Sequence, residues 1–375
     1  MDLKRLLKRS WGIRFYLYNP YIRELRIWHR EQHQFYNDAK MRFCSEKPRH
    51  GTLSDYRKAL AKHRVTYAEY MYSYEYWRLD EPEREKFIST SEMQCIYRKL
   101  GDRNVREIFH DKVQFLTLFE KFIYRKWAQA KDLTLDQFMA MATQFDCIAK
   151  PIDGTRGFGI FKICHNDVIN CRELYQKCVD GNFLIEECIS ACGELAEFHP
   201  SSLNTIRVVT LSHQGRFSVF GALFRMGAHG SVVDNTHTGG IYAPINVETG
   251  TIDIEAIDGQ NNHYEYHPDS HKRIKGFKIP SWNKIVETCK EASEAIPNVR
   301  FAGWDICINK NGNVEIIEGN HAPDFDGGMQ APLKIGVKYK LADAVQNVMG
   351  VNPLKYISVW KNASPFEQIS LREYE

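Results

Sequence analysis

No stretch of the 375-residue chain approaches 20 consecutive apolar residues, so a membrane-spanning helix is not expected. The ten cysteines include no CxxC pair, and none has a histidine nearby at zinc-ligand spacing, which argues against a zinc module. Most of them, such as Cys147, Cys164 and Cys307, sit inside apolar strand-like runs as small core residues. A reduced, cytoplasmic setting is the expectation that follows. The N-terminus, MDLKRLLKRSWG, is basic but has neither the apolar segment nor the small-residue cleavage site of a signal peptide. There is no internal repeat, no low-complexity segment and no recognisable nucleic-acid module.

What is present is a chain of ordinary globular composition, 43% apolar and 26% charged, long enough for two or three domains. Its net charge of +3 conceals an asymmetry. Residues 1–60 hold 14 Lys and Arg against 6 Asp and Glu, and the remainder holds 36 against 41. The basic part is rich in Tyr, Phe and Trp and shows helical spacing at Leu3, Leu6, Leu7, then Tyr21, Leu25, Ile27 and Trp28. Three readings stay open for it: a solvated helical surface over an aromatic core, an interfacial membrane contact, or single-strand binding. Helical spacing continues through Tyr67, Tyr70, Met71, Tyr74 and Trp77, and Ser89 with Glu92 fits a capping box.

From Asp111 the character changes. Residues 112–130 read as helix, and Thr134 caps a short helix to about Ala142. FDCIAKP, IFKI, NFLIEECI, NTIRVVTL, FSVFGALFRM and GGIYAPINV read as strands, with Gln214-Gly215 as one of their turns. SWNKIVETCKEASEAI reads as a helix capped by Ser281. The class is α+β.

The stretch GWDICINKNGNVEIIEGNHAPDFDG reads as a hairpin. With Asn311 and Gly312 as the two central turn residues, Asn309 pairs with Val314 and Asp305 falls opposite Glu318. Asn320, two residues on, shares their face. Two opposed carboxylates repel, and a cation between them reverses the sign. Two carboxylates and an amide oxygen are hard donors that suit Mg²⁺ bound together with phosphates. An ordinary hairpin with a solvated acidic pair is the plain alternative.

Lys150 ends a strand and precedes a glycine-rich segment containing Gly154, Arg156, Gly157 and Gly159. Glycines let backbone N–H groups approach an anion, and the two cations add charge. It is not a Walker-type loop, since it leads into a strand. Glu186, Glu187, Cys188 and Ile189 close a strand at a hinge that offers the groups an adenine edge needs. Arg207 and Arg225 lie within apolar strands, so each should face an anion, a phosphate or an acidic side chain.

In this order the residues resemble the ATP-grasp superfamily from about 105 to 345. NTIRVVTL, SVVDNTHTGGIYAPI and IIEGNHAPDFDGG are similar to motifs of its sugar-transfer-associated group, akin to the α-L-glutamate ligases. The resemblance implies ATP and Mg²⁺ as cofactors. It also implies an ATP-grasp fold of two α+β subdomains clasping ATP at 106–188 and 189–350, after a helical region at 1–105 and before a tail at 351–375. It assigns Lys112 and Lys150 to the nucleotide phosphates, the glycine segment to a flap, and Glu186 to Ile189 to adenine. Asp305, Glu318 and Asn320 take the metal, and Arg207 and Asn235 the reacting groups; Arg225 joins these catalytic candidates as the other cation placed in an apolar strand. Asn235 has Asp234 beside it where the glutamate-ligase pattern differs, and the helical N-terminal region replaces the usual α/β acceptor domain. The implied activity joins a carboxylate, sugar-linked or not, to an amine through an acyl phosphate. A kinase that stops at phosphoryl transfer and a non-catalytic adaptor are the alternatives. A contact with a membrane surface or polysaccharide assembly is one of the readings left open for the basic N-terminus, and no nucleic acid is expected.

Overall fold

The computed structural model describes residues 52–152, 159–165, 171–230, 239–296, 298–323 and 329–361. The basic N-terminal stretch, Gly154, Arg156, Gly157, Asp234 and Asn235 lie outside the described residues. The chain divides into two compact units, one of 1–99 with 334–343 and 352–375, the other of 100–333 with 344–351.

The first unit is helical. Its helix Leu53–His63 starts at Thr52, whose hydroxyl accepts from the Asp55 N–H at 3.1 Å. The aromatic run beyond it does not form one helix. It breaks into a π-turn, Glu69–Ser73, and a 3₁₀ turn, Tyr76–Arg78, with Glu75 between them at φ 51°. This break lets Tyr67, Tyr70, Tyr74, Tyr76 and Trp77 all enter one core with Tyr56 and Phe87. The buried phenols keep partners, Tyr70 on Asp55 at 2.6 Å and Tyr74 on the Ile88 carbonyl at 3.2 Å. The capping box forms, with the Ser89 N–H on Glu92 at 3.2 Å and the Glu92 N–H on Ser89 at 3.3 Å. Among the described residues, His63, Glu81 and Glu85 bring possible metal-ligand atoms within 4.8 Å of one another. The Lys62 ammonium already bridges both carboxylates there, at 2.6 and 2.8 Å.

The second unit carries two antiparallel sheets. The smaller has the order β1-β4-β2-β3, from β1 (Trp127–Gln129), β2 (Cys147–Pro151), β3 (Phe161–Ile163) and β4 (Phe183–Glu187). The larger has the order β11-β10-β5-β6-β7-β8-β9. Its main strands are β5 (Thr205–His213), β6 (Arg216–Met226), β7 (Ile241–Ile245), β10 (Phe301–Ile308) and β11 (Val314–Asn320). Short strands β8 (Ala256–Ile257) and β9 (His263–Tyr264) complete it. Gln214 and Gly215, at φ 49° and 77°, make the tight turn between β5 and β6. Every residue of β10 is buried, as a central strand under the helix Trp282–Ala295 requires.

Two local expectations are corrected. The helix from Lys112 stops at Leu118, and 127–129 form β1, paired with β4. The helical spacing of Phe115, Phe119 and Phe122 persists through a 3₁₀ turn, Glu120–Phe122, and masks a strand of three residues. Ser281 does occupy the N-cap, but at φ 53° its side chain makes no capping bond. The box at Thr134 forms, with Gln137 completing it.

Candidate active site

The hairpin closes with a three-residue loop, not the two-residue turn expected. The Asn309 N–H donates to the Asn313 carbonyl at 2.9 Å, and Gly312 supplies the positive φ of 79°. The Asn309 side chain explains the choice: its oxygen accepts from the Asn311 and Asn313 N–H groups at 3.0 and 3.1 Å. Pairing therefore begins with Ile308 opposite Val314, one residue off the expected register. A bulge between Asp305 and Ile306 then inserts Ile317 on β11 and restores it. Asp305 ends opposite Glu318 and Gly303 opposite Asn320.

On the other side of Asp305 lies Arg207 of β5, so Arg207, Asp305 and Glu318 form a row across three strands. Arg207 donates from Nε and Nη2 to both oxygens of Asp305, the second bond at 2.7 Å. Arg225 on β6 adds bonds at 3.3 Å to each oxygen. Both arginines thus face the same acid. Burial pushes the Asp305 carboxyl up, and Arg207 and Arg225 more than reverse this, so it lies well below the usual carboxylate range. Glu318 behaves oppositely. Solvent reaches it, yet the surrounding protein and the Asp305 charge raise its carboxyl to about 7.

A raised carboxyl facing a depressed one is an arrangement that a cation would stabilise. The arginines bond Asp305, while the charges of Arg207 and Lys150 only partly offset what raises Glu318. Glu318, Asp305 and the Asn320 amide oxygen present hard donors of the kind Mg²⁺ takes. Asn320 is exposed, its oxygen accepting from the Ala322 N–H at 3.0 Å. Beside it the His321 and His110 rings lie 5.2 Å apart. Burial first, then His110 and Arg106, lower His321 to about 4.

The smaller sheet contributes the second group. Lys150 and Glu186 share one face of β2 and β4, and their charged ends meet at 2.7 Å. Burial raises the Glu186 carboxyl, but Lys150 and then Arg125 overcome it and the net shift is downward. The positive charge of Lys150 also lowers Glu318, which places the two groups within one electrostatic neighbourhood. Lys112 starts its helix behind the Asp111 cap and donates to the Pro151 and Ile152 carbonyls, both at 3.0 Å. Its ammonium therefore lies where the chain enters the glycine segment. Gly159 leaves that segment at φ 78°.

In the hinge, the Glu187 N–H is held by the Lys126 carbonyl at 2.8 Å and the Cys188 N–H by the Asp146 carbonyl at 2.7 Å. Past Ile189, Ser190 accepts from the Lys310 N–H at 3.0 Å, and Ala191 bridges to Asn309. The hinge is thereby fastened to the hairpin loop. Sequence reasoning missed Arg125 and Glu315, whose side chains are 3% and 1% exposed and which meet at 3.0 Å. A lone Arg before a short strand and a Glu alternating with isoleucines carry no local signal of pairing.

A sequence model of the family described as sugar-transfer associated ATP-grasp matches residues 84–343. No curated protein matches the chain. Among solved structures, the ATP-grasp ligase PsnB complexed with minimal precursor is 16% identical at a TM-score of 0.40, over 65% of this chain and 62% of that one. The L-amino acid ligase from Bacillus licheniformis is 14% identical at 0.37, over 68% and 48%. The VanG D-Ala:D-Ser ligase from Enterococcus faecalis is 12% identical at 0.39, over 67% and 60%. In each case the match spans less than two thirds of the solved chain's own length.

Proposed function

This chain belongs to the sugar-transfer-associated ATP-grasp family, and on that premise we propose that it is an ATP-dependent carboxylate–amine ligase. The observation that carries the reading is the row Arg207–Asp305–Glu318, in which a raised carboxyl faces a depressed one beside the Lys150–Glu186 pair. A structural ion pair has no need of the second acid, whereas a site for a cation and phosphates does.

In this reading Asp305, Glu318 and Asn320 hold Mg²⁺, which when bound neutralises phosphate charge. Lys150 and Lys112 contact the ATP phosphates, with Gly154, Arg156, Gly157 and Gly159 folding over them. Glu186 orients Lys150 and accepts from the adenine amine. With the Glu187 and Cys188 N–H groups engaged in the sheet, their carbonyls and Ile189 face the base. A carboxylate oxygen of the substrate attacks the γ-phosphorus, the β–γ bridging bond breaks, and ADP leaves with its electron pair. The amine then attacks the acyl carbon, phosphate departs, and the nitrogen loses a proton to solvent. Arg207, Arg225 and Asn235 bind the anionic groups of both steps. The family's tie to sugar transfer makes a carboxylated sugar, or an amino acid joined to one, the preferred substrate class.

The test is a mass-spectrometric screen of ATP, Mg²⁺, candidate acids and candidate amines. ADP release with a product of amide mass supports the reading. ADP with a phosphorylated acid and no amide would make the protein a phosphotransferase instead. Within the site, Lys150→Ala is expected to weaken ATP binding by about 1.5–3 kcal/mol, roughly ten- to a hundredfold, as a charge-assisted phosphate contact is lost. Calorimetry with ATP·Mg²⁺ measures it, and a change under about twofold removes Lys150 from the phosphate site.

A further inference from the structure

The guanidinium of Arg125 sits where the chain enters the smaller sheet, close to the point at which it leaves through the hinge. Among the described residues its contacts go to two places. Nε donates to Glu186 on β4. Nη1 donates to Glu315 at 3.0 Å and to the Ile316 carbonyl at 2.9 Å, and Nη2 to the Ile317 carbonyl at 3.0 Å. Its own N–H also reaches Glu315, at 3.0 Å. Ile317 is the residue the bulge inserts, directly after Ile316, and it returns β11 to register and sets Glu318 opposite Asp305. Glu186 is the partner of Lys150. Glu315 is held from its other side by the Asn309 amide at 3.2 Å, which ties the same anchor to the hairpin loop.

We propose that Arg125 is a positioning residue that locks the Lys150–Glu186 pair and the bulged strand of Glu318 into one arrangement. The inference rests on the ligase reading above and assigns Arg125 no contact with substrate. A guanidinium suits the task because its planar fork donates in several fixed directions at once, while a lysine ammonium is a single point. β11 is the edge strand of its sheet, so carbonyls turned away from β10 meet no further strand, and Arg125 donates to those of Ile316 and Ile317. Removing the fork frees the bulge to slip along β11. A one-residue slip turns Glu318 away from Asp305, because side chains alternate faces.

Two variants of the full chain test this. Arg125→Lys keeps the charge and loses the fork. Glu315→Gln keeps the shape and weakens the strand side of the anchor by taking the charge from its Glu315 bonds, while the carbonyl bonds to β11 and the Glu186–Lys150 pair stay in place. ADP binding is followed by calorimetry, first in EDTA and then as Mg²⁺ is added, beside a thermal melt. For both folded variants the Mg²⁺ concentration at half-effect should rise about 10–100-fold, the usual range when a group that orients a metal ligand is lost. Metal-free ADP affinity should fall for Arg125→Lys and stay near parental for Glu315→Gln. A lowered melting temperature with the Mg²⁺ midpoint within about twofold of the parent in either folded variant would overturn the proposal. A parent that binds no ADP at any Mg²⁺ concentration would overturn the ligase reading itself, and this inference with it.

Discussion

Glu318→Gln is expected to abolish magnesium-dependent ADP release while leaving the metal-free protein at least as stable as the parent. Glu318 faces Asp305 directly across the hairpin, and its carboxyl is raised to about 7 by its surroundings and by that charge. Glutamine keeps the shape and one oxygen and removes the repulsion. The gain is about 0.2–1 kcal/mol, held small because solvent reaches the side chain. The pH dependence sharpens the test. A raised carboxyl means that the folded protein holds a proton the unfolded chain has released. Stability of the metal-free parent therefore declines as pH climbs from the ordinary glutamate value towards 7. The variant should lose that decline, so its advantage is absent near pH 4, builds as pH climbs towards 7 and is complete just above it. Turnover should drop by at least roughly a hundredfold, the upper end of what is lost with groups that only orient a metal ligand. Melts at several pH values in EDTA, set beside ADP release at saturating Mg²⁺, read both effects. Near-parental turnover would remove the hairpin from the reaction.

The Asp305–Glu318 pairing follows from a two-residue turn in the sequence, but the molecule reaches it through two opposite departures, a longer loop and a bulge. The loop departs because the Asn309 side chain, three residues before Gly312, rewards a wider turn. The bulge is invisible locally, because its stabilising group is Arg125, almost 200 residues away in sequence. Arg207 and Arg225 could be flagged as paired because isolated cations in apolar strands are costly. That both would converge on one acid needed the register of three strands. Lys150 and Glu186 were legible as separate strand ends and not as partners, since their contact depends on the pairing of β2 with β4. Strand β1 escaped for a different reason, three residues being too few to show a period of two.

Asp305→Asn is expected to act in the opposite direction from Glu318→Gln, although the two acids face each other. Asp305 is 3% exposed and carries the bonds of both Arg207 and Arg225. Taking its charge leaves two guanidinium groups beside a neutral amide. Breaking a buried pair from one side typically costs 3–5 kcal/mol. Both arginines keep some solvent contact, so about 3 kcal/mol is the expected loss. For a unit of this size that is roughly 6–12 °C in melting temperature. Glu318 should respond as well. With the facing charge gone, its carboxyl should fall back towards the ordinary range, and the decline towards neutral pH expected of the parent should flatten. Arg207→Met placed on top of Asp305→Asn should recover part of the lost stability, because a largely buried cation that has lost its Asp305 bonds is removed. Chemical denaturation of the parent, both single variants and the double variant gives the coupling energy. If Asp305→Asn melts with the parent, or Arg207→Met adds its own full loss to it, Asp305 does not bind the arginines in the way that sets the two carboxyls apart.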